Sequence, residues 1–440
     1  MASVALREWT SLSPEVCAEL AGRRLVPGGS AWRLAQALTA GGRLTVRDLA
    51  DGLALQATSW VGRITLDDLT ITVRPKIPAL PLMTLLRYAY GLRDLQLTET
   101  ACYAGEAGAF QDLLIAQLIA EASDLLARGL HSDYRMTAEV LEQPRGRIDL
   151  RAYAVGTGHA SAALPCVHHP RTSDVPLNRA LQAGLLFASG ATRDVELRTR
   201  LHRLADRLDD VLTGSRGILP GLDSDVLARA RRTLDRRTAH YRPALTLIEL
   251  LLRGMAVSFD DPRSDLQLDG VLFDMNAFFQ ALLSRFLRAH LADARLVDEH
   301  RLRGVFAYDP RHNPRGRRDP APRPDFAVVR EGRVVALLDA KYRDLWEQSL
   351  PPEMLYQLAI YALTQPGENP VSIILYPSVT ASAQDQVVGF RGVLGGIAKA
   401  RVILRPVHLL RLDGLLRDGS GVGAERGRQE MVAGLIRGDG

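Results

Sequence analysis

The sequence predicts an α/β protein in which a C-terminal mixed sheet, flanked by helices, follows an α+β N-terminal domain and a mainly helical middle region. Three patterns lead to that reading. From about residue 263, helix-like and strand-like segments alternate, the order expected of a sheet with helices packed on its faces. Residues 1–80 read as short strands and small helices. Between these regions, apolar side chains recur at helical spacing. A chain of 440 residues also exceeds what one hydrophobic core usually supports. Four segments are expected: an α+β domain over 1–127, a mainly helical region over 128–262, an α/β domain over 263–412 and a Gly/Arg-rich tail over 413–440.

Each element has a local cause. Residues 64–66 and 69–73 flank Asp67-Asp68, two turn-favouring acids, and predict a hairpin, which Pro75 and Pro78 then terminate. Residues 82–92 and 108–129 read as helices, the second with Leu113, Leu114, Leu118, Leu125 and Leu126 along one stripe. In the middle region 175–188, 195–212 and 243–256 are helical, and 128–174 is less regular. Asp174 precedes a helix that carries Pro176 near its start, so it is assigned as the N-cap. The helix 274–292 buries Phe278, Leu282, Phe286 and Leu287. A charged loop, broken by Pro and Gly, covers 309–323. Strands follow at 326–329 and 334–338, a helix at 353–363, and strands at 371–376 and 402–407. Seven glycines from Asp418 onward predict a frayed tail with at most one short helix.

Composition narrows the function classes. The net charge of +5 and pI near 9.2 are compatible with nucleic acid without demanding it. Cys17, Cys102 and Cys166 lie far apart with no CxxC pair, which argues against a disulfide framework or zinc knuckle and for a reducing cytoplasm. Arg7, Glu8, Glu15 and Glu19 are incompatible with a signal peptide. No uncharged apolar run approaches the roughly 20 residues of a membrane span. There is no GK[ST] step and hence no P-loop, and no GxSxG elbow. His168-His169 lacks a third ligand at metal-binding spacing.

One constellation carries chemistry. Lys and Arg together number 55, yet only Lys76, Lys341 and Lys399 are lysines. Lysine is a compact, rotatable point charge, arginine a planar fork. A site that must set one ammonium beside water and phosphate has reason to keep Lys341 within Asp339-Ala340-Lys341, downstream of Pro324-Asp325. Hydrolysis of a phosphodiester with Mg²⁺ or Mn²⁺ needs oxygen ligands and a group that steers the attacking water. Asp325, Asp339 and the Ala340 carbonyl can supply the ligands, and Lys341 can hold the water. Strand side chains alternate, so Asp339 and Lys341 share a face. A two-residue loop at Glu331-Gly332 would pair Asp325 with Leu338 and turn Asp339 away; a three-residue loop would pair Asp325 with Asp339. The metal reading therefore requires an odd register or a bulge. The following helix carries Gln357 and Tyr361 at i, i+4, on one face. The loop before Asp325 holds Arg311, Arg315, Arg317, Arg318 and Arg323, candidates for DNA phosphates.

The order helix–strand–strand–helix–strand with PD, DxK and QxxxY resembles the PD-(D/E)XK nuclease superfamily. Further landmarks resemble McrC proteins, nuclease subunits of the McrBC 5-methylcytosine-directed restriction system. They are Val61-Gly62-Arg63-Ile64, Ile71-Thr72-Val73-Arg74-Pro75-Lys76-Ile77, Arg145-Gly146-Arg147-Ile148, Cys166, Asp174-Val175-Pro176-Leu177-Asn178-Arg179, Asp274-Met275-Asn276 with Phe278-Phe279, and the strands at 323–325 and 339–342. They run in order from about residue 61 to 361. The resemblance implies a cytoplasmic, Mg²⁺-dependent endonuclease subunit acting on double-stranded, modified DNA with a McrB-like AAA+ GTPase or ATPase ring. It makes Lys76, Arg145 and Arg147 candidates for contact with that partner or with DNA. Gln280 departs from the family pattern, which has a glutamate there. That departure supports an alternative: a catalytically inactive nuclease-fold subunit that only docks on the NTPase and stimulates it.

Overall fold

The computed structural model describes residues 2–92, 110–155, 163–212, 222, 224–255, 270–365, 370–391, 399–419 and 421–438. The expected boundary at 263, the helix ends at 108 and 256, and Cys102 lie outside the described residues. The chain forms two compact units, residues 1–94 with 272–440 and residues 95–271.

In the first unit the hairpin forms as its turn residues require. Trp60–Leu66 and Leu69–Arg74 run antiparallel with Leu66 opposite Leu69, and Asp67 takes the left-handed conformation (φ 53°) that so tight a turn demands. Ala2–Arg7 pairs parallel to Leu69–Arg74. Gly270–Asp274, of which Leu272–Asp274 belong to this unit, lies beyond Trp60–Leu66 in the same four-stranded sheet. A second, antiparallel sheet joins Ser11–Leu12, Gly52–Ala57 and Leu44–Leu49, with the helix Ser30–Ala40 packed beside it.

The larger sheet has six strands in the order Arg295–Asp298, Phe326–Arg330, Arg333–Ala340, Val371–Ser378, Ala400–His408 and Gln386–Phe390. Arg333–Ala340 and Ala400–His408 flank Val371–Ser378 in parallel, and the outer pairings are antiparallel, so the sheet is mixed. Its central strand is buried on both faces, as its mostly apolar residues at 371–376 require, and the one polar side chain there, Ser372, donates to the Leu358 carbonyl at 2.7 Å. On one face Leu358 and Tyr361 of the helix Pro352–Leu363 cluster with Ala327, Leu337, Ile374 and Val402. The helix Met275–His290 packs against Arg295–Asp298 and Arg333–Ala340 and buries Phe278, Phe279, Leu282, Leu283, Phe286 and Leu287. Asp274 caps it, accepting from the Asn276 and Ala277 amides at 2.9 and 3.3 Å, a contact typically worth about 1 kcal/mol.

Two edge strands, Arg295–Asp298 and Gln386–Phe390, escaped the sequence reading; both are short and largely exposed, so neither has a full apolar alternation. The tail is a correction. It forms helices Leu409–Arg417 and Val422–Ile436, the second burying Met431, Val432 and Leu435 and packing on Met275–His290. Arg405 donates to the Leu435 and Arg437 carbonyls at 3.3 and 2.6 Å, tying down a helix end that glycine content alone would leave loose.

The second unit contains helices Phe110–Arg128, Pro176–Ala191, Val195–Leu212, Ser224–Arg232 and Arg242–Met255. The irregular stretch after residue 128 resolves into two small antiparallel sheets, Thr137–Leu141 with Leu164–His168 and Arg147–Ile148, and Asp133–Tyr134 with Arg171–Thr172. Asp174 is not a cap: Val175 holds that position without a side-chain bond, and Asp174 instead accepts both Nε and Nη2 of Arg179. A bidentate charged pair is a stronger partner than a single amide. Asn178, fully buried, donates to the carbonyls of His131 and Ser173 and accepts from Tyr241. The Asp174–Arg179 run thus ties the first turn of its helix to the adjoining chain.

Gly146, between Arg145 and Arg147, has φ +70°, and a Cβ there would lie 2.4 Å from the Val167 carbonyl oxygen. Gly146→Ala is expected to destabilise this small sheet by roughly 1–3 kcal/mol, read as faster hydrogen exchange across 164–168. Unchanged exchange would contradict the close approach.

Candidate functional site

The turn between Phe326–Arg330 and Arg333–Ala340 is the two-residue kind, Glu331 and Gly332 both having positive φ (50° and 76°). By itself it would have separated the two aspartates. The pairing starts as Arg330 opposite Arg333 and Val329 opposite Val334, then shifts: Val328 faces Ala336, Ala327 faces Leu337 and Phe326 faces Leu338. Val335 is the extra residue, a β-bulge, and is half exposed. Continuing this register places Asp325 across from Asp339. The bulge required by the metal reading is present.

The side chains converge accordingly. Ala340 donates its amide to Asp325 Oδ2 at 2.8 Å, Gln280 donates to Asp325 Oδ1 at 3.1 Å, and Lys341 Nζ lies 2.9 Å from Asp339 Oδ2. Asp339 is 2% exposed. Burial pushes the Asp325 carboxyl up to about 6, the charge of Asp339 pushes the same way, and Lys341 offsets only part of this. Burial lowers the Lys341 pKa, but Asp339 and Asp325 together outweigh it and the net shift is upward. Gln357 donates to the Tyr361 hydroxyl at 2.6 Å. Burial raises the Tyr361 pKa, the Gln357 bond lowers it, and the charge of Asp339 raises it further, which places Tyr361 within electrostatic reach of the aspartates.

The donor set fits a divalent cation. Two carboxylates and one ammonium leave a net negative charge in a largely buried place, with hard oxygen donors that suit Mg²⁺ or Mn²⁺. The set is small: among the described residues no three His, Cys, Asp or Glu side chains gather as a metal site. Gln280 stands beside Asp325 as a neutral amide and adds no charge to the set. His168 pairs with Glu139, at 3.4 Å.

The remaining candidates divide. Arg311, Arg315, Arg317 and Arg318 are exposed on the loop that leads to Asp325, while Arg323 pairs with Glu299 at 3.0 Å. Arg145 and Arg147 are exposed in the second unit. Lys76 is largely enclosed: its side chain is 18% exposed, its Nζ lies 3.8 Å from Asp344 Oδ2 and 5.1 Å from the Tyr342 ring centre, and its amide donates to Glu8 at 2.9 Å. Its charge is used inside the first unit. The sequence reading missed Glu8 and Tyr342, whose separation of over three hundred positions leaves no local signal, and the role of Asn276, which accepts from the Tyr342 amide at 3.3 Å.

A family model described as "McrBC 5-methylcytosine restriction system component" matches residues 55–377. The fold matches a chain of the solved half-complex from the tetradecameric assembly of Thermococcus gammatolerans McrB AAA+ hexamers with bound McrC. There the TM-score is 0.63 and identity 19%, over 99% of this chain and 100% of that one. A chain of the cryo-EM structure of the Thermococcus gammatolerans McrBC complex matches with TM-score 0.46 and 19% identity, over 67% of this chain and 89% of that one. No curated protein matches.

Burial raises the Glu8 carboxyl from its ordinary 4.5 to about 7, with the Lys76 amide, the Lys76 charge and Tyr342 opposing. A raised folded-state value means that the stability linked to Glu8 is full below 4.5 and is lost as pH rises through about 7. The loss is on the order of 3 kcal/mol. The melting temperature of wild type is therefore expected to fall more between pH 5 and 8 than that of Glu8→Gln; parallel pH profiles would contradict this.

Proposed function

Since the chain belongs to the family of McrBC 5-methylcytosine restriction system components, we propose that it is the Mg²⁺-dependent endonuclease subunit of a modification-dependent restriction system. In this reading it hydrolyses DNA phosphodiester bonds and stimulates an AAA+ GTPase or ATPase ring. The observation that carries it is the bulge at Val335, which sets Asp325 across from Asp339 with Lys341 alongside.

Asp325, Asp339 and the Ala340 carbonyl would hold Mg²⁺ or Mn²⁺. Bound there, the ion supplies positive charge to the scissile phosphate and lowers the pKa of water. Lys341 aims the attacking water and offsets charge that develops on the phosphate. Gln357 and Tyr361 support the site or the DNA backbone. The exposed arginines of 309–323 contact phosphates, whose sequence-independent charge suits a subunit that leaves base recognition to its partner. The order helix, three strands, helix, strand supports assignment to the PD-(D/E)XK superfamily. The likeness to a McrB–McrC assembly, and the lack of any P-loop step in this sequence, support an NTPase ring as partner. Arg145 and Arg147, near the exposed apolar Val140, Ile148, Leu150 and Tyr153, are the residues best suited to dock on it.

The second reading, an inactive docking subunit, rests on Gln280 in place of glutamate. The two separate in one experiment: cleavage of methylated plasmid by the protein with its AAA+ partner, nucleotide and Mg²⁺. Wild type is expected to cut, and Asp339→Ala to cut slower by on the order of a hundredfold or more, with NTPase stimulation retained. Stimulation by both proteins without cleavage by either would establish the docking reading.

A second prediction concerns the ion alone. Mg²⁺ binding to the folded state raises stability by mass action, so at pH 8 it should raise the melting temperature of wild type and leave that of Asp339→Ala unchanged. Equal shifts in both would place the ion elsewhere.

A further inference from the structure

The sequence leaves Arg333–Ala340 through Lys341 and Tyr342, and continued alternation sends these two side chains to opposite sides of the sheet. Lys341 goes towards the aspartates. Tyr342 goes towards the helix Met275–His290, where its ring meets Phe279 edge-on, with ring centres 6.0 Å apart. Its amide is fixed by Asn276. Its hydroxyl donates to Glu8 Oε1 at 3.0 Å, the oxygen that also accepts the Lys76 amide at 2.9 Å, and Lys76 Nζ sits over its ring. On the other side, the Lys341 amide donates to the Leu375 carbonyl at 3.0 Å. The backbone that aims Lys341 is therefore gripped by the central strand and, one residue later, by the N-terminal segment.

This grip is costly in ways that simple burial of a tyrosine would not require. Glu8 is 5% exposed, and among the described residues its Oε2 has no hydrogen-bond partner. The adjacent Trp9 is held at φ 62° with its indole nitrogen likewise unpartnered among the described residues. A buried acceptor retained under such conditions points to a requirement for orientation.

We propose that Glu8 is a positioning residue of the nuclease site, acting through the Tyr342 hydroxyl to hold Lys341 in place. The inference rests on the nuclease reading for its consequence in cleavage, but the mechanical link from Glu8 to Lys341 stands or falls by itself. Residues 2–92 are then part of the cleaving apparatus as well as of the fold.

With only three lysines in the chain, the link has a direct readout. Protein grown on lysine carrying ¹³C at Cε gives resonances from Lys76, Lys341 and Lys399 alone, assigned with the Lys341→Arg and Lys399→Arg variants. Glu8→Met removes the acceptor and keeps the bulk; Glu8→Gln keeps an acceptor without charge; Tyr342→Phe removes only the hydroxyl. Glu8→Met and Tyr342→Phe are expected to move the Lys341 resonance and leave that of exposed Lys399 in place as a marker of the folded state. Glu8→Gln is expected to restore the wild-type position. In cleavage assays the two disruptive variants should lower kcat by about tenfold, the scale of a small misplacement of a catalytic group, with KM for DNA unchanged. Combining them should cost no more than either one alone. A Lys341 resonance unmoved in both folded single variants, or additive losses in the double variant, would overturn the proposal. If wild type does not cleave at all, the nuclease reading fails, and a moved Lys341 resonance still establishes the link.

Discussion

One extra residue in one strand decides what the large sheet can do. The turn Glu331-Gly332 is of the tight, positive-φ kind that suits a twisted hairpin. Its natural register would send Asp339 and Lys341 to the face away from Asp325, because a slip of one position exchanges the faces of a strand. Val335 absorbs the mismatch. As a half-exposed valine it forfeits burial worth on the order of 1 kcal/mol. In return the tight turn is kept and the carboxylates meet. Turn geometry and site geometry conflict here, and the bulge satisfies both.

Meeting has an electrostatic consequence. Asp325 and Asp339 approach in a place too buried for water to screen them, and Lys341 supplies one positive charge between two negative ones. The shifts follow that count: Lys341 gains affinity for its proton despite burial, and Asp325 does so as well. Such a site favours an added cation. Gln280 bears on how strongly. A glutamate there would place a third negative charge beside Asp325, deepening the attraction for a metal and the repulsion in its absence. The amide contributes a hydrogen bond and no charge, so it would hold an ion less strongly than a glutamate while leaving the two carboxylates and Lys341 where the bulge puts them.

What could be read from the sequence was what local periodicity or turn chemistry encodes. The Asp67-Asp68 hairpin, the helix that begins at Asp274, the strands around Asp339 and the i, i+4 pair Gln357 and Tyr361 all have such signals. The need for a bulge was legible too, since strand alternation and the short loop were incompatible with a shared face. Three things were not. Edge strands such as Arg295–Asp298 have too little buried surface to show a pattern. Asp174 has the composition of a cap, but Arg179 competes for it through a contact that only the folded turn reveals. Glu8 and Tyr342 meet through tertiary packing, and no spacing rule spans that distance.

The fate of Lys76 redistributes the candidate contacts along the chain. Read as a sequence, it is an ammonium beside two prolines at the end of a hairpin, well placed to meet a partner. In the folded unit burial lowers its pKa, and Glu8 and Asp344 restore only part of the loss. An ammonium that has already shed most of its hydration, with carboxylates on two sides, gains little from a further anion and would lose its present ones. The exposed arginines of 309–323, Arg145 and Arg147 face the opposite balance. They keep their water, carry a planar fork suited to phosphate or carboxylate, and lose little on engaging either. The chain's bias towards arginine thus separates two uses of positive charge. Arg145, Arg147 and the arginines from 311 to 318 stay at the surface, whereas Lys76 and Lys341 are kept where a single small cation sits among carboxylates.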